Sequence, residues 1–215
     1  MGLTGARVTE AAADLADRIG FDKVTVSAVA RGFGVADASL YSHVKNLHDL
    51  QMRVAIQASS DLAGVLSSAI AGRSGDDALV AFANAYRGFA RSHPGRYQST
   101  QIPVDDVLLA QSTGHARLVQ TCYALLHGYA LAEPELTDAV RLLRSAFHGF
   151  FTIEANGGFQ AARDLTESWQ RIVQALARTL ATWPDSVPAG PVRADLVPLA
   201  LVPLERVSPV VEPPR

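Results

Sequence analysis

Apolar positions recur along most of the chain with the 3.6-residue period of a helix, and alternating strand patterns are nearly absent. The pattern therefore reads as all-α. Over residues 5–20, Val8, Ala11, Ala12, Leu15 and Ile19 fall on one face, and Gly20 supplies a stop. Thr25 is placed to cap a second, shorter helix with Val26, Val29, Ala30 and Phe33 inside. Gly34 breaks that helix and Val35 turns back inward. A third helix is predicted over 37–44, held down by Leu40 and Val44. Asn46 then caps a long fourth helix reaching about residue 71, with Asp49 as its capping-box partner. Its inner stripe runs through Leu50, Val54, Ala58, Leu62, Val65, Leu66 and Ala69.

Gly72, Ser74 and Gly75 close that helix, and a second helical region follows. One helix ends at Ser92-His93-Pro94-Gly95, because a proline pushes its predecessor out of helical geometry. Residues 104–132, 135–155 and 161–183 each read as helix, with Pro103, Pro134 and Asn156-Gly157-Gly158 as punctuation. Eight of the eleven prolines fall in residues 184–215, which excludes a sustained helix there and predicts an extended or disordered tail.

Three short helices with a glycine turn between the second and third describe a helix-turn-helix unit. In that architecture the third helix enters the major groove of DNA. Its outer face carries Asp37, Ala38, Ser39, Ser42 and His43, with Tyr41 at the edge and Lys45 following. The serines can meet base edges or phosphates, Tyr41 and His43 can hydrogen-bond a phosphate, and Lys45 supplies charge. Thr25 and Ser27 add hydroxyls at the start of the second helix, where backbone N–H groups also point outward. A three-helix bundle that touches no DNA has the same spacing, and the charge balance argues mildly against DNA binding. Net charge is -2. Within residues 1–50, Arg7, Arg18, Lys23, Arg31 and Lys45 face one more acid than base: Glu10, Asp14, Asp17, Asp22, Asp37 and Asp49. Affinity for DNA rests largely on phosphate neutralisation, so one subunit would bind modestly and a dimer would be needed.

Other chemistry is sparse. Hydrophobic residues make up 48% of the chain, enough for a sizeable core. The single cysteine, Cys122, forms no internal disulfide and fits a reducing compartment. The amphipathic N-terminus lacks a signal-peptide pattern, and no run of about 18 apolar residues exists, so a cytoplasmic location without membrane insertion is expected. No HExxH, GxSxG, P-loop or GxGxxG occurs, and His115 with Cys122 makes too few ligands for zinc. Neither an enzyme, a metal nor a cofactor is expected.

The stretch TVSAVARGFGVADASLYSHVKNLHDL resembles the DNA-binding domain of the tetracycline-repressor (TetR) family. The resemblance rests on Gly20-Phe21, Val24-Thr25-Val26, Gly34-Val35 and Leu40-Tyr41-Ser42-His43-Val44-Lys45-Asn46, closed by Leu50, and covers residues 6–54. Further on, HPGRYQS and AFHGFFTIEANGGF resemble a family C-terminal domain named for a Trp-His-Gly motif, with Phe147-His148-Gly149 in its place.

The resemblance implies a DNA-binding domain over 1–46, a connecting helix over 47–75, an effector-binding and dimerisation domain over 76–183, and the proline-rich tail over 184–215. It implies a ligand-responsive repressor that binds a pseudo-palindromic DNA operator as a homodimer, with an unidentified, largely apolar small-molecule effector. Aromatic residues with a few polar handles suit such a pocket: Tyr86, Phe89, Tyr97, Tyr123, His127, Phe147 and Phe151. Pairing of the last two helices across a two-fold axis would draw on Leu143, Phe147, Phe150, Trp169, Ile172 and Leu176.

Three departures from the family pattern bear on affinity. Ala36 stands where a Ser or Thr cap is usual, Asp37 would repel a phosphate, and Leu47 replaces a frequent Lys. They keep open an alternative: a helical small-molecule-binding or interaction protein of the same fold, with weak or lost DNA binding.

Overall fold

The computed structural model describes residues 2–105, 108 and 112–183. Among these residues there are helices and no strands. Thr4 caps α1 (Gly5–Ile19) by accepting from the Arg7 N–H. Gly20, with φ 95°, ends it and donates to Ala16 O. A 3-10 turn (Phe21–Lys23) then leads to α2 (Val26–Phe33), capped by Thr25 Oγ1 on the Ala28 N–H at 3.1 Å.

The turn out of α2 follows the residues. Gly34 sits left-handed at φ 68°. Its N–H donates to Arg31 O and the Val35 N–H to Ala30 O, both at 3.1 Å, which satisfies two carbonyls left open by the helix end. Ala36 offers α3 (Asp37–Leu40) no side-chain cap. The third helix is shorter than the predicted 37–44. It stops at Leu40, and Tyr41, Ser42 and His43 form a turn in which His43 and Val44 N–H groups both donate to Leu40 O.

Asn46 Oδ1 accepts from the Asp49 N–H at 2.8 Å and starts α4 (Leu47–Ile70). The reciprocal bond reaches one residue further back than a capping box requires: Asp49 Oδ2 accepts from Lys45 N. Val8, Ala12, Ala16, Val29, Leu40, Val44, Leu50 and Val54 close a small core over the first three helices and the start of α4. Two positions read as inner are not. Ile19 and Val65 are about two-fifths exposed, and Thr9, Ala13, Met52, Ala55, Ser59 and Ala63 are buried instead. The stripes are therefore wider and built from smaller residues than the large apolar side chains alone suggest.

A larger core lies beyond, among α5 (Gly75–Ser92), α6 (Pro94–Ser99), α7 (Thr113–Leu126), α8 (Glu135–Ala155) and α9 (Leu165–Ala181). Helix α6 was not foreseen, although Pro94 at its first position is pre-set for a helix start. Within the predicted helix over 104–132, α7 starts where Ser112 Oγ accepts from the His115 N–H, and a 3-10 turn (His127–Tyr129) follows it. Likewise residues 161–163 are a bend, and Asp164 caps α9 through the Glu167 N–H. The expectations for 184–215 lie outside the described residues.

The centre of the larger core is aromatic. Phe147 and Trp169 rings lie 5.3 Å apart, and Phe150 and Trp169 4.9 Å. Trp169 Nε1 donates to Asn84 Oδ1, so its polar edge is satisfied. Arg87 is buried with a bidentate pair to Glu154 (3.0 and 2.5 Å), and its guanidinium covers the rings of Phe150 and Trp169.

Candidate nucleic-acid interface and effector cavity

Every residue proposed for DNA contact lies at the surface of the three-helix head. Thr25, Ser27, Asp37, Ala38, Ser39, Tyr41, Ser42 and Lys45 are exposed, and His43 is half-buried. Leu40 and Val44, on the opposite side, are at most 2% exposed, so the face they leave outward is fixed by burial. Tyr41 is 54% exposed. Ser42 Oγ donates back to Ser39 O at 2.8 Å, and Leu47 is half-buried against the head's core.

The acids of this region are mostly engaged elsewhere. Ser27 Oγ donates to Asp37 Oδ2, tying the start of α3 to the start of α2. Burial would raise the Asp49 carboxyl, but the Lys45 N–H and the Arg53 guanidinium outweigh it and hold the group below its usual value. Glu10, Asp14 and Asp17 converge on Arg96 of α6. Arg96 Nη2 lies 2.6 Å from Glu10 and 2.8 Å from Asp14, and Nη1 contacts Asp17. Asp61 of α4 stands 3.9 Å away. The formal excess of acid in residues 1–50 is thus concentrated on one side of α1, against a buried arginine, and not on the reading face.

Helix α6 is fastened to the head in other ways. A Cβ on Gly95 would come within 2.2 Å of the Ala16 backbone, so only glycine fits. The Arg96 N–H donates to Asp17 Oδ1, and Gln98 Oε1 accepts from the Phe21 N–H at 3.1 Å. Phe21 and HPGRYQS carried the family resemblance, but the contacts between them were not read from the pattern of the chain. The proline-started PGRYQS carried a helix signal, but its partners lie 35 to 86 residues away and leave no local trace.

Just past α6, Thr100 and Gln101 reach the wall of a cavity of about 330 Å³. Helix α8 lines it with Val140, Leu143, Arg144 and Phe147, which share one face at i, i+3, i+4 and i+7. Tyr86 from α5, Cys122 from α7 and Ser59 from α4 complete the ring. Burial pushes the Tyr86 hydroxyl up to about 12 and the Cys122 thiol up to about 11, so both stay protonated at neutral pH.

Of the expected pocket residues, the structure brings Tyr86, Tyr123 and Phe147 to this cavity. Tyr97 and Phe151 line a separate cleft with His148, where Tyr97 Oη and His148 Nδ1 are 2.7 Å apart. His127 borders a shallow depression with Leu131 and Leu136. Phe89 is buried against His93 as ordinary core. The residues expected at a dimer interface lie largely inside one protomer. Leu143, Phe147, Phe150, Trp169 and Leu176 are at most 8% exposed within one protomer, where they fill the aromatic core, and Ile172 is half-buried.

Comparison with known proteins agrees with this architecture. Residues 8–46 match the family model for bacterial regulatory proteins of the tetR family, and residues 79–176 a tetracyclin repressor-like C-terminal domain. The chain is 37% identical over 154 residues to the uncharacterized HTH-type transcriptional regulator Rv0681 of Mycobacterium tuberculosis, covering 70% of this chain and 69% of that one. It is 30% identical over 168 residues to the uncharacterized HTH-type transcriptional regulator YobS of Bacillus subtilis, covering 78% and 87%. A possible TetR family transcriptional regulator from Streptomyces coelicolor A3(2) shares the fold at a TM-score of 0.63 with 14% identity, over 82% of this chain and 98% of that one. The chain belongs to the TetR family of DNA-binding, helix-turn-helix transcriptional regulators.

Proposed function

We propose that this regulator is a ligand-responsive repressor that binds a pseudo-palindromic operator as a homodimer and releases it when a small, largely apolar molecule fills the cavity beside Phe147. The observation that carries this reading is the placement of the α6 segment. Its last residues and the two that follow reach the cavity wall through Thr100 and Gln101, while Gly95, Arg96 and Gln98 grip α1 and Phe21 of the head. A molecule that shifts Gln101 has a short, stiff path to the reading face. Release then requires only that the ligand bind the shifted state more tightly.

DNA contact is assigned to Thr25, Ser39, Tyr41, Ser42, His43 and Lys45, with Ser27, Asp37 and Ala38 at the entry of α3. The exposure of this face and the diversion of Glu10, Asp14 and Asp17 to Arg96 favour DNA binding over its loss. For pairing of two copies, the outer side of α8 is the better candidate now that the aromatic residues are assigned to the core. Ser145, Gly149 and Ile153 follow one another at i, i+4 and i+8, and a Cβ on Gly149 would meet nothing within 4 Å. The small residues Ser145 and Gly149 on this line let two helices approach closely, with the exposed Ile153 beside them. A regulator of this kind works in the cytoplasm, on the nucleoid when bound to DNA, and the regulator relatives favour this role over catalysis.

A gel shift with the DNA flanking the protein's own gene, at low and moderate salt, tests the reading. A sequence-specific complex containing two copies supports it. Binding that is equal on scrambled DNA at every salt concentration overturns it.

A further inference from the structure

We infer that the effector carries an anionic head, of carboxylate type, on its apolar body, and that Arg144 receives that head at the open side of the Phe147 cavity. The inference rests on the proposed ligand response and specifies the chemistry of the ligand.

The buried arginines of this protein are matched with acids. Arg87 has Glu154, and Arg96 has Glu10, Asp14 and Asp17. Arg144 is exposed at the rim of the cavity, and among the described residues it has neither an ion pair nor a hydrogen bond. Arg141, one turn earlier, also reaches the cavity edge, but it is paired with Asp138 at 3.2 Å. No described carboxylate lines the cavity, whereas His115, Thr100, Gln101 and the protonated hydroxyl of Tyr86 do. The polar side of the cavity is thus rich in donors and carries positive charge without a counter-charge.

The opposite walls are hydrocarbon: Phe82, Leu118, Leu125, Val140, Leu143 and Phe147. A neutral apolar molecule would satisfy those walls and leave Arg144 to water. A divalent cation finds no acidic ligand there, and a large polyanion finds too little room, since about 330 Å³ is near the lower end of small-molecule sites. A singly charged amphiphile satisfies both halves, and the bidentate geometry of guanidinium with carboxylate gives the arginine a specific role. The field of Arg144 also reaches Cys122, Tyr86, Tyr97 and His148, so a bound anion would alter the electrostatics of α5, α6, α7 and α8 together.

The test is equilibrium dialysis of the full-length protein against labelled decanoate and, separately, labelled decan-1-ol at pH 7.5, for wild type, Arg144→Gln, Arg144→Lys and Arg141→Gln. Decanoate is expected to bind wild type about tenfold or more tightly than the alcohol. Arg144→Gln should abolish that preference with alcohol binding unchanged, Arg144→Lys should keep part of it, and Arg141→Gln should keep nearly all of it. Equal binding of the two probes, binding of neither, or a preference that survives Arg144→Gln overturns the inference. Release of labelled operator, followed in parallel by fluorescence anisotropy, keeps the two readings apart. If decanoate binds through Arg144 but the operator stays bound, the ligand class stands and the ligand response fails. If the alcohol binds as well as decanoate and releases the operator, the response stands and the anionic head fails.

Discussion

The backbone N–H of Arg96 donates to Asp17 Oδ1 at 2.8 Å while the guanidinium of the same residue contacts Asp17 Oδ2, so a six-residue helix is clamped to α1 through one carboxylate. Arg96 is 7% exposed and Asp17 has a side-chain exposure of 13%, whereas Glu10 and Asp14 are half in solvent. Asp17 is therefore the partner that matters most energetically, because exposed pairs are screened by water. Replacing Arg96 by Met leaves the largely buried Asp17 carboxylate with only the His93 ring, 3.1 Å away, beside it. The expected loss of stability in urea unfolding is ~3 kcal/mol, the lower end of the ~3–5 kcal/mol for removing one partner of a buried ion pair, because His93 remains. If the clamp also transmits the ligand signal, a variant that still folds binds operator but responds less to ligand.

The close approach at Gly95 gives an independent handle on the same contact. A methyl group there would overlap Ala16 C and O, and backbone cannot rotate away as a flexible side chain can. Gly95→Ala is expected to cost ~1–3 kcal/mol through forced separation of α6 from α1, despite the better helix propensity of alanine. Gly149→Ala is the control: it meets nothing in the protomer and should raise the thermal midpoint slightly. If α8 pairs two copies along this line, the same variant weakens the dimer, which analytical ultracentrifugation would detect as a larger dissociation constant.

The head of the molecule was legible in the sequence because its signals are local. Caps at Thr25 and Asn46, the left-handed Gly34 and the pair Leu40–Val44 each act within a few residues of themselves. The third helix came out too long because apolar spacing cannot distinguish an α-turn from the looser turn at residues 41–43. The body was less legible. Ser112 and Asp164 were unread as caps, and the last helix was extended too far toward the N-terminus. Periodicity identified Phe147, Trp169 and Leu176 as inward-facing, but could not say whether they face their own core or a second copy. Nor could it separate Tyr86, which borders free space, from Phe89, which does not. That difference depends on the helices across from them.

On the reading face, one departure from the family pattern can be reversed and two assigned contacts can be removed. Ala36→Ser restores a side-chain acceptor at the start of α3 and should stabilise the head by ~1 kcal/mol. Lys45→Ala, at an exposed position, should leave stability nearly unchanged while lowering the slope of log affinity against log salt by about 1, if Lys45 neutralises one phosphate. Tyr41→Phe should weaken operator binding with no change in the unfolding midpoint. Unaltered affinity in Lys45→Ala and Tyr41→Phe together would remove both residues from the DNA contact.

Cys122 reports on the cavity directly. Burial holds its thiol up near 11, against an ordinary value of about 9, so at pH 7.5 its thiolate is scarcer than that of a free cysteine by roughly a hundredfold. Alkylation by iodoacetamide should be slow in the native protein and fast in urea. A cavity ligand should slow it further in proportion to occupancy, since the sulfur side chain is part of the wall.

The Tyr97–His148 pair predicts a loss of stability on mild acidification. His148 Nδ1 can accept from the Tyr97 hydroxyl at 2.7 Å only while the ring is neutral. Burial, and then the nearby Arg144 charge, hold the folded-state pKa of His148 below its ordinary value near 6.5. The unfolded chain therefore takes up this proton at higher pH than the native one does. The contribution of the pair is fully present above the unfolded value. It declines as pH falls past about 6.5, and is lost once pH has passed through the lower, folded value. Tyr97 stays protonated throughout, because burial drives its own pKa upward. Thermal midpoints measured from pH 8 to pH 5 should fall more steeply for wild type than for His148→Gln, in which an amide replaces the titrating ring. Parallel curves for the two proteins would show that His148 does not change its proton affinity on folding.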